Sequence, residues 1–157
     1  MPNLSSPPST LPPDSICLLR LSALGDVVHV VPLVRTLQRA WPDTSLTWVI
    51  GKAEQKLLEG LPGVEFLVFD KSSGLAGMQA VRKALRARLQ SQGRFDALLQ
   101  MQVAARANLL SAFIPAVRRI GYDASRSKDL HGLFVNERIP DRPGIHEGLE
   151  HRDVVDE

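Results

Sequence analysis

The chain has 157 residues, 44% of them apolar, and a net charge of +2. That length suits one domain with a sizeable core, the charge is too small to call for a nucleic-acid partner, and no apolar run is long enough to cross a bilayer. The one cysteine, Cys17, cannot form an intrachain disulfide and reads as a small core hydrophobe in a reducing compartment, so a cytoplasmic location is expected.

Met1 to Ser15 carries Pro2, Pro7, Pro8, Pro12 and Pro13 among serines. It lacks the basic start and apolar middle of a secretory signal and is expected to be a disordered arm, leaving 16–157 as the domain. Ile16 to Leu21 reads as a buried parallel strand. A polar turn, Ser22 to Asp26, leads to Val27, Val28, Val30, Val31, Leu33, Val34 and Leu37, a pattern that suits a helix packed on a sheet. Trp41-Pro42-Asp43 ends that helix, because proline disfavours a helical predecessor. Leu46 to Ile50 is the second strand, and Gly51 breaks it. Ala53 to Glu59 is a short helix closed by Gly60 and Pro62, and Val64 to Phe69 is the third strand. In the helix from Leu75 to Gln92, Leu75, Met78, Val81, Leu85 and Leu89 share a face, with Arg82, Lys83, Arg86 and Arg88 mostly off it. Phe95 to Met101 is the fourth strand, Arg106 to Ile114 a helix that stops before Pro115, and Val117 to Gly121 the fifth strand. Asp123 to Asn136 reads as a loop, with or without a short helix. Pro140 to Gly148 is turn-rich, and Leu149 to Glu157 starts another helix. Strands and helices alternate at short spacing, which predicts an α/β fold: a Rossmann-like, mostly parallel sheet with helices on both faces.

Open α/β sheets bind ligands beyond the carboxyl ends of their strands, which directs attention to the first turn. Gly25 permits an unusual backbone conformation and the close approach of a ligand. The helix start offers unpaired N–H groups and a positive dipole end. Asp26 at that junction has two readings, a helix N-cap and a general base, and the residues alone favour the cap. His29, one turn on, reads more readily as structural than as catalytic. Gln102 and Arg106 follow the fourth strand at the same edge, and the guanidinium suits paired carboxylate or phosphate oxygens. Arg126 and Lys128, with Arg118 and Arg119, make the region after the fifth strand basic. Arg82, Lys83, Arg86, Arg88 and Arg94 form a second basic run, either a solvated helix surface or a face for anionic lipid. The four histidines show no ligand spacing, so no metal site is expected. There is no GxGxxG after the first strand, no GxxxxGK[ST] and no G-x-S-x-G.

Arg20-Leu-Ser22-Ala-Leu-Gly25-Asp26-Val-Val-His29, with Pro32 in the helix that follows, resembles the N-terminal signature of the bacterial lipopolysaccharide heptosyltransferases, glycosyltransferase family 9. The resemblance continues more weakly to about Asn136. It implies the N-terminal, acceptor-side half of a two-domain GT-B enzyme that transfers heptose from ADP-heptose to the lipopolysaccharide inner core, inverting the anomeric centre with no cofactor and no metal. It implies that Asp26 is the base, that Ser22 and Gly25 lie near acceptor and donor phosphates, and that Gln102, Arg106, Arg126 and Lys128 bind the acceptor. It also implies a peripheral contact with the cytoplasmic face of the inner membrane. Gln100 departs from the family's usual Asp, and Ala107 stands where Ser is common. Nothing matches the C-terminal half, which holds most of the nucleotide-sugar site, so this half alone is expected to transfer sugar poorly or not at all. Two other readings stand beside this one. The first is a non-catalytic Rossmann-like domain that binds a sugar-phosphate or a protein. The second is a receiver-type signalling domain, which would need an acidic pair that the chain lacks.

Overall fold

The computed structural model describes residues 11–121 and 137–138. Six strands form one sheet in the order β3-β2-β1-β4-β5-β6, and every neighbouring pair is parallel. The strands are β1 (Ser15–Leu19), β2 (Ser45–Gly51), β3 (Val64–Phe69), β4 (Phe95–Gln100), β5 (Ala116–Gly121) and β6 (Glu137–Arg138), and the helices are α1 (Leu24–Ala40), α2 (Lys52–Leu57), α3 (Gly74–Gln92) and α4 (Ala105–Phe113). A short 3-10 turn, Lys71–Ser73, precedes α3. The predicted fold class holds, and the expected boundaries fall within a few residues of those observed. The two-residue β6 was not expected; it pairs Glu137 with Ile120 and Arg138 with Gly121.

Period-two alternation along β1 builds a core on each face. Cys17 and Leu19 join Val49, Val81, Leu85, Leu98 and Leu110 under α3 and α4. Ile16 and Leu18 join Trp48, Ile50, Val27, Val30 and Val34 under α1. Buried on both sides, β1 reads as an unbroken apolar run. Pro32 lies inside α1, where a proline costs about 3 kcal/mol. Four side chains of that helix, Val27, Val30, Val34 and Leu37, are buried. Each contributes about 1.5–3 kcal/mol, so packing outweighs the proline.

Three sequence expectations change. In α3 the buried positions are Gly77, Val81, Leu85 and Arg88, while Leu75 is 79% exposed and Leu89 40% exposed. Arg88 turns inward because its guanidinium lies 3.5 Å over the Phe95 ring and donates to the Gly93 carbonyl at 2.9 Å. Arg119, expected on a basic surface, donates to the Ile114 carbonyl at 2.8 Å, to the Ser111 carbonyl and to Ser111 Oγ at 2.7 Å. The end of the expected arm is tied to the sheet. Thr44 Oγ1 donates to the Pro13 carbonyl at 2.6 Å, Asp14 N–H to Asp96 Oδ2 at 2.6 Å, and Ser15 already belongs to β1. The readings made for the residues before Leu11, for Asp123 to Asn136 and from Pro140 onward lie outside the described residues.

Candidate functional site

Parallel strands bring the turns after β1, β2, β3 and β4 to one edge, and a cavity of about 500 Å³ opens there. Ser22, Gln102 and Arg106 line it, as the sequence led one to expect, together with Lys52, Lys56 and Lys71, which sequence reasoning missed. The signal that could have found them is their position: Lys52 directly follows β2 and Lys71 nearly follows β3, at carboxyl ends of strands. Lys52 Nζ pairs with Asp70 Oδ2 at 2.9 Å. Asp70 also accepts from Ser72 Oγ at 2.5 Å and Ser72 N at 3.0 Å. The Ser72 hydroxyl and then Lys52 hold its carboxyl down at about 2. Among the described residues Lys56, Lys71 and Arg106 have no carboxylate partner, so this wall presents net positive charge to the cavity.

The amide of Gln102 fixes the turn after β1. Its Oε1 accepts from Leu21 N at 2.7 Å and Ser22 N at 3.3 Å, and its Nε2 donates to Ser22 Oγ at 3.3 Å. Both amide atoms are therefore engaged in shaping the turn. The Ser22–Ala23 peptide is cis. Gly51 N donates to the Leu21 carbonyl at 3.0 Å, so β1 and β2 meet at the cavity floor.

Asp26 is not the N-cap residue. Ala23 holds that position, and Asp26 stands three residues later in α1, from where its Oδ2 reaches back to the Ala23 N–H at 3.4 Å. This is the carboxylate half of a capping box, and it leaves the Asp26 side chain 54% exposed. Capping and chemistry are thus compatible at this residue. Asp26 lies in a separate cleft of about 160 Å³ with Arg20, His29, Val30 and Met101, on the α1 side of the same edge. Arg20 Nη2 is 2.5 Å from Asp26 Oδ2. The Arg20 guanidinium, by hydrogen bond and by charge, holds the carboxyl below the usual aspartate value, with smaller help from the Ala23 N–H and His29. Asp26 is consequently ionised at neutral pH.

Gly25 departs from its expected conformation. It is the second residue of α1, and among the described residues the positive-φ glycines are Gly63, Gly74 and Gly93. A Cβ at Gly25 would meet nothing within 4 Å, so open space rather than backbone freedom is what this residue provides. Arg126 and Lys128 lie outside the described residues. Among the described residues no group of three or more His, Cys, Asp or Glu is placed to hold a metal ion, and no helix is long and apolar enough to cross a membrane.

A parallel α/β sheet with a basic cavity and an exposed carboxylate at its ligand edge is a Rossmann-like domain with a candidate binding site for anionic groups. Solved structures bear out the fold. The family 9 glycosyl transferase of Veillonella parvula superposes with a TM-score of 0.67 at 24% identity, over 81% of this chain and 36% of that one. Escherichia coli heptosyltransferase WaaC superposes with a TM-score of 0.69 at 21% identity, over 84% and 42%. No family model matches. By sequence, the chain is 43% identical over 129 residues to the lipopolysaccharide core heptosyltransferase OpsX of Haemophilus influenzae, covering 82% of this chain and 36% of that protein. It is 25% identical over 130 residues to lipopolysaccharide heptosyltransferase 1 of Escherichia coli, covering 78% and 40%. The chain thus resembles the N-terminal part of the lipopolysaccharide heptosyltransferases and spans roughly two-fifths of the length of these curated relatives.

Proposed function

We propose that this chain supplies the acceptor-side half of a heptosyltransferase, with ADP-heptose as donor and the lipopolysaccharide inner core as acceptor. The observation that carries this reading is the place of Asp26: an exposed, ionised carboxylate in the first turn of α1, at the ligand edge of the sheet. Asp26 takes the proton of an acceptor hydroxyl as that oxygen bonds to the anomeric carbon. The C–O bond to the diphosphate breaks, and ADP leaves with its electron pair. Attack opposite the leaving group inverts the centre, and the mechanism needs no metal. Lys56, Lys71 and Arg106 supply charge for anionic groups of the acceptor, while Gln102 keeps Ser22 in place. Exposed Lys83 and Arg86 on α3 give a basic face for a peripheral contact with anionic lipid at the inner membrane's cytoplasmic side.

The test is ADP release by the protein purified from its source, with ADP-heptose and a heptose-deficient inner-core acceptor. Asp26→Asn is expected to lower kcat by about 10²–10⁴, the usual size of general-base catalysis, with the circular dichroism spectrum unchanged. Wild-type turnover in that variant overturns the assignment of the base. Acceptor binding without any turnover by the wild-type protein places the chain among non-catalytic sugar-phosphate binders instead.

A further inference from the structure

We propose that Arg20 is a positioning residue for Asp26: it tethers the carboxylate to the end of β4, and their contact opens when Asp26 accepts its proton. The proposal rests on the reading of Asp26 as base. Arg20 is one residue beyond β1 and is fixed through its backbone on both sides. Its N–H donates to the Val49 carbonyl at 3.2 Å, and its carbonyl accepts from Trp48 Nε1 at 3.1 Å, an indole that is fully buried. Its guanidinium bridges two elements, with Nη1 donating to the Met101 carbonyl and Nη2 contacting Asp26. The Arg20 side chain is 17% exposed against 54% for Asp26. The guanidinium is thus the fixed member of the pair and the carboxylate the one facing outward. The two terminal nitrogens of the guanidinium divide its contacts, one to the Met101 carbonyl and one to the Asp26 carboxylate.

Charged or polar groups facing Asp26 are Arg20 from the end of β1, and the Ala23 N–H and His29 from α1 itself. Of these, Arg20 acts most strongly. An adjacent guanidinium favours the ionised carboxylate and opposes proton uptake. A base so paired is pre-ionised but weak. Because the contact belongs to the ionised state and is lost in the protonated one, it lowers proton affinity, and what it gives in exchange is a fixed position for the carboxylate.

The experiment follows the ¹³C side-chain carboxyl signal of Asp26, assigned by its loss in Asp26→Asn, through an acid titration of the chain. In the wild type it is expected to titrate below the ordinary aspartate range. Arg20→Met is expected to move it up into that range, and Arg20→Lys to keep it below. In the catalytically competent protein, Arg20→Met is expected to move the acid limb of the kcat/KM profile to higher pH. It should also lower kcat by about 10²-fold, the scale of a misplaced catalytic group, while acceptor KM stays near wild type. Arg20→Gln, which keeps a donor for the Met101 carbonyl, replaces the Met variant if the latter does not fold. An Asp26 titration that stays at the wild-type value in the folded neutral variant overturns the proposal and leaves the base reading standing. Full turnover in Asp26→Asn overturns the base reading, and with it the catalytic half of the proposal.

Discussion

Gly25 and Gly51 both stand at the ligand edge, and they answer to different constraints. Gly51 is buried, and a Cβ there would run into the Leu21 carbonyl and the Glu54 carboxylate. Gly51→Ala is therefore expected to destabilise the fold by about 1–3 kcal/mol, the usual cost of forcing atoms into a packed site, read as a lower urea midpoint. Gly25 is already in helical backbone with open space around it. Gly25→Ala should leave stability unchanged or raise it by up to about 1 kcal/mol through better helix propensity. A stable Gly25→Ala protein with weakened acceptor binding would then report close ligand approach at this point, because the fold gives the glycine no other purpose.

The turn between β1 and α1 depends on an element distant in sequence. Gln102, after β4, accepts from two consecutive backbone N–H groups of that turn. Gln102→Leu leaves those donors without this acceptor and is expected to cost about 1–3 kcal/mol, measured by denaturant unfolding. Hydrogen exchange should rise first at Leu21 and Ser22. The strands and helices themselves were legible in the sequence because their signals are local. Apolar runs bounded by Gly and Pro gave β1 to β5, and a 3.6-residue period gave α1 and α3. What was not legible depended on partners. Arg88 carries a charge that suggests solvent, but the Phe95 ring beside it makes the interior the better place. Leu75 looks apolar enough for the core, yet it sits in the first turn of α3, ahead of the buried stripe.

At the scale of the whole molecule, Cys17 reports on cooperative unfolding. It is fully buried in the central strand, and desolvation pushes its thiol up to about 12 from 9.0. The sign follows from linkage: the contribution to stability is complete below pH 9 and is lost as pH rises from 9 toward 12. Near neutral pH a thiol reagent is expected to modify Cys17 only as fast as the sheet opens, and at once in denaturant. Fast labelling of the native protein would show that β1 frays locally. The candidate site was half legible at this scale. Ser22, Asp26, Gln102 and Arg106 were found because they follow the first and fourth strands. Lys52, Lys56 and Lys71 were missed because the cavity is assembled by the strand order, which places β2 and β3 beside β1 only once the chain is folded. Arg20 stood in the signature without a role, because its contacts to Met101 and Asp26 exist only in the folded chain.

The all-parallel sheet has a consequence for how such a chain can diverge. The turns after β1, β2 and β4 join strands that are mostly buried, so the lysine and arginine side chains at this edge carry little of the folding free energy. Lysines and arginines there can be exchanged, moved or lost with small effect on the frame, while a single change in the β1 core is felt throughout. Selection can therefore retune what the edge recognises in small viable steps, leaving the Ser22–Asp26 turn and its glutamine brace as the slowly changing reference around which recognition drifts.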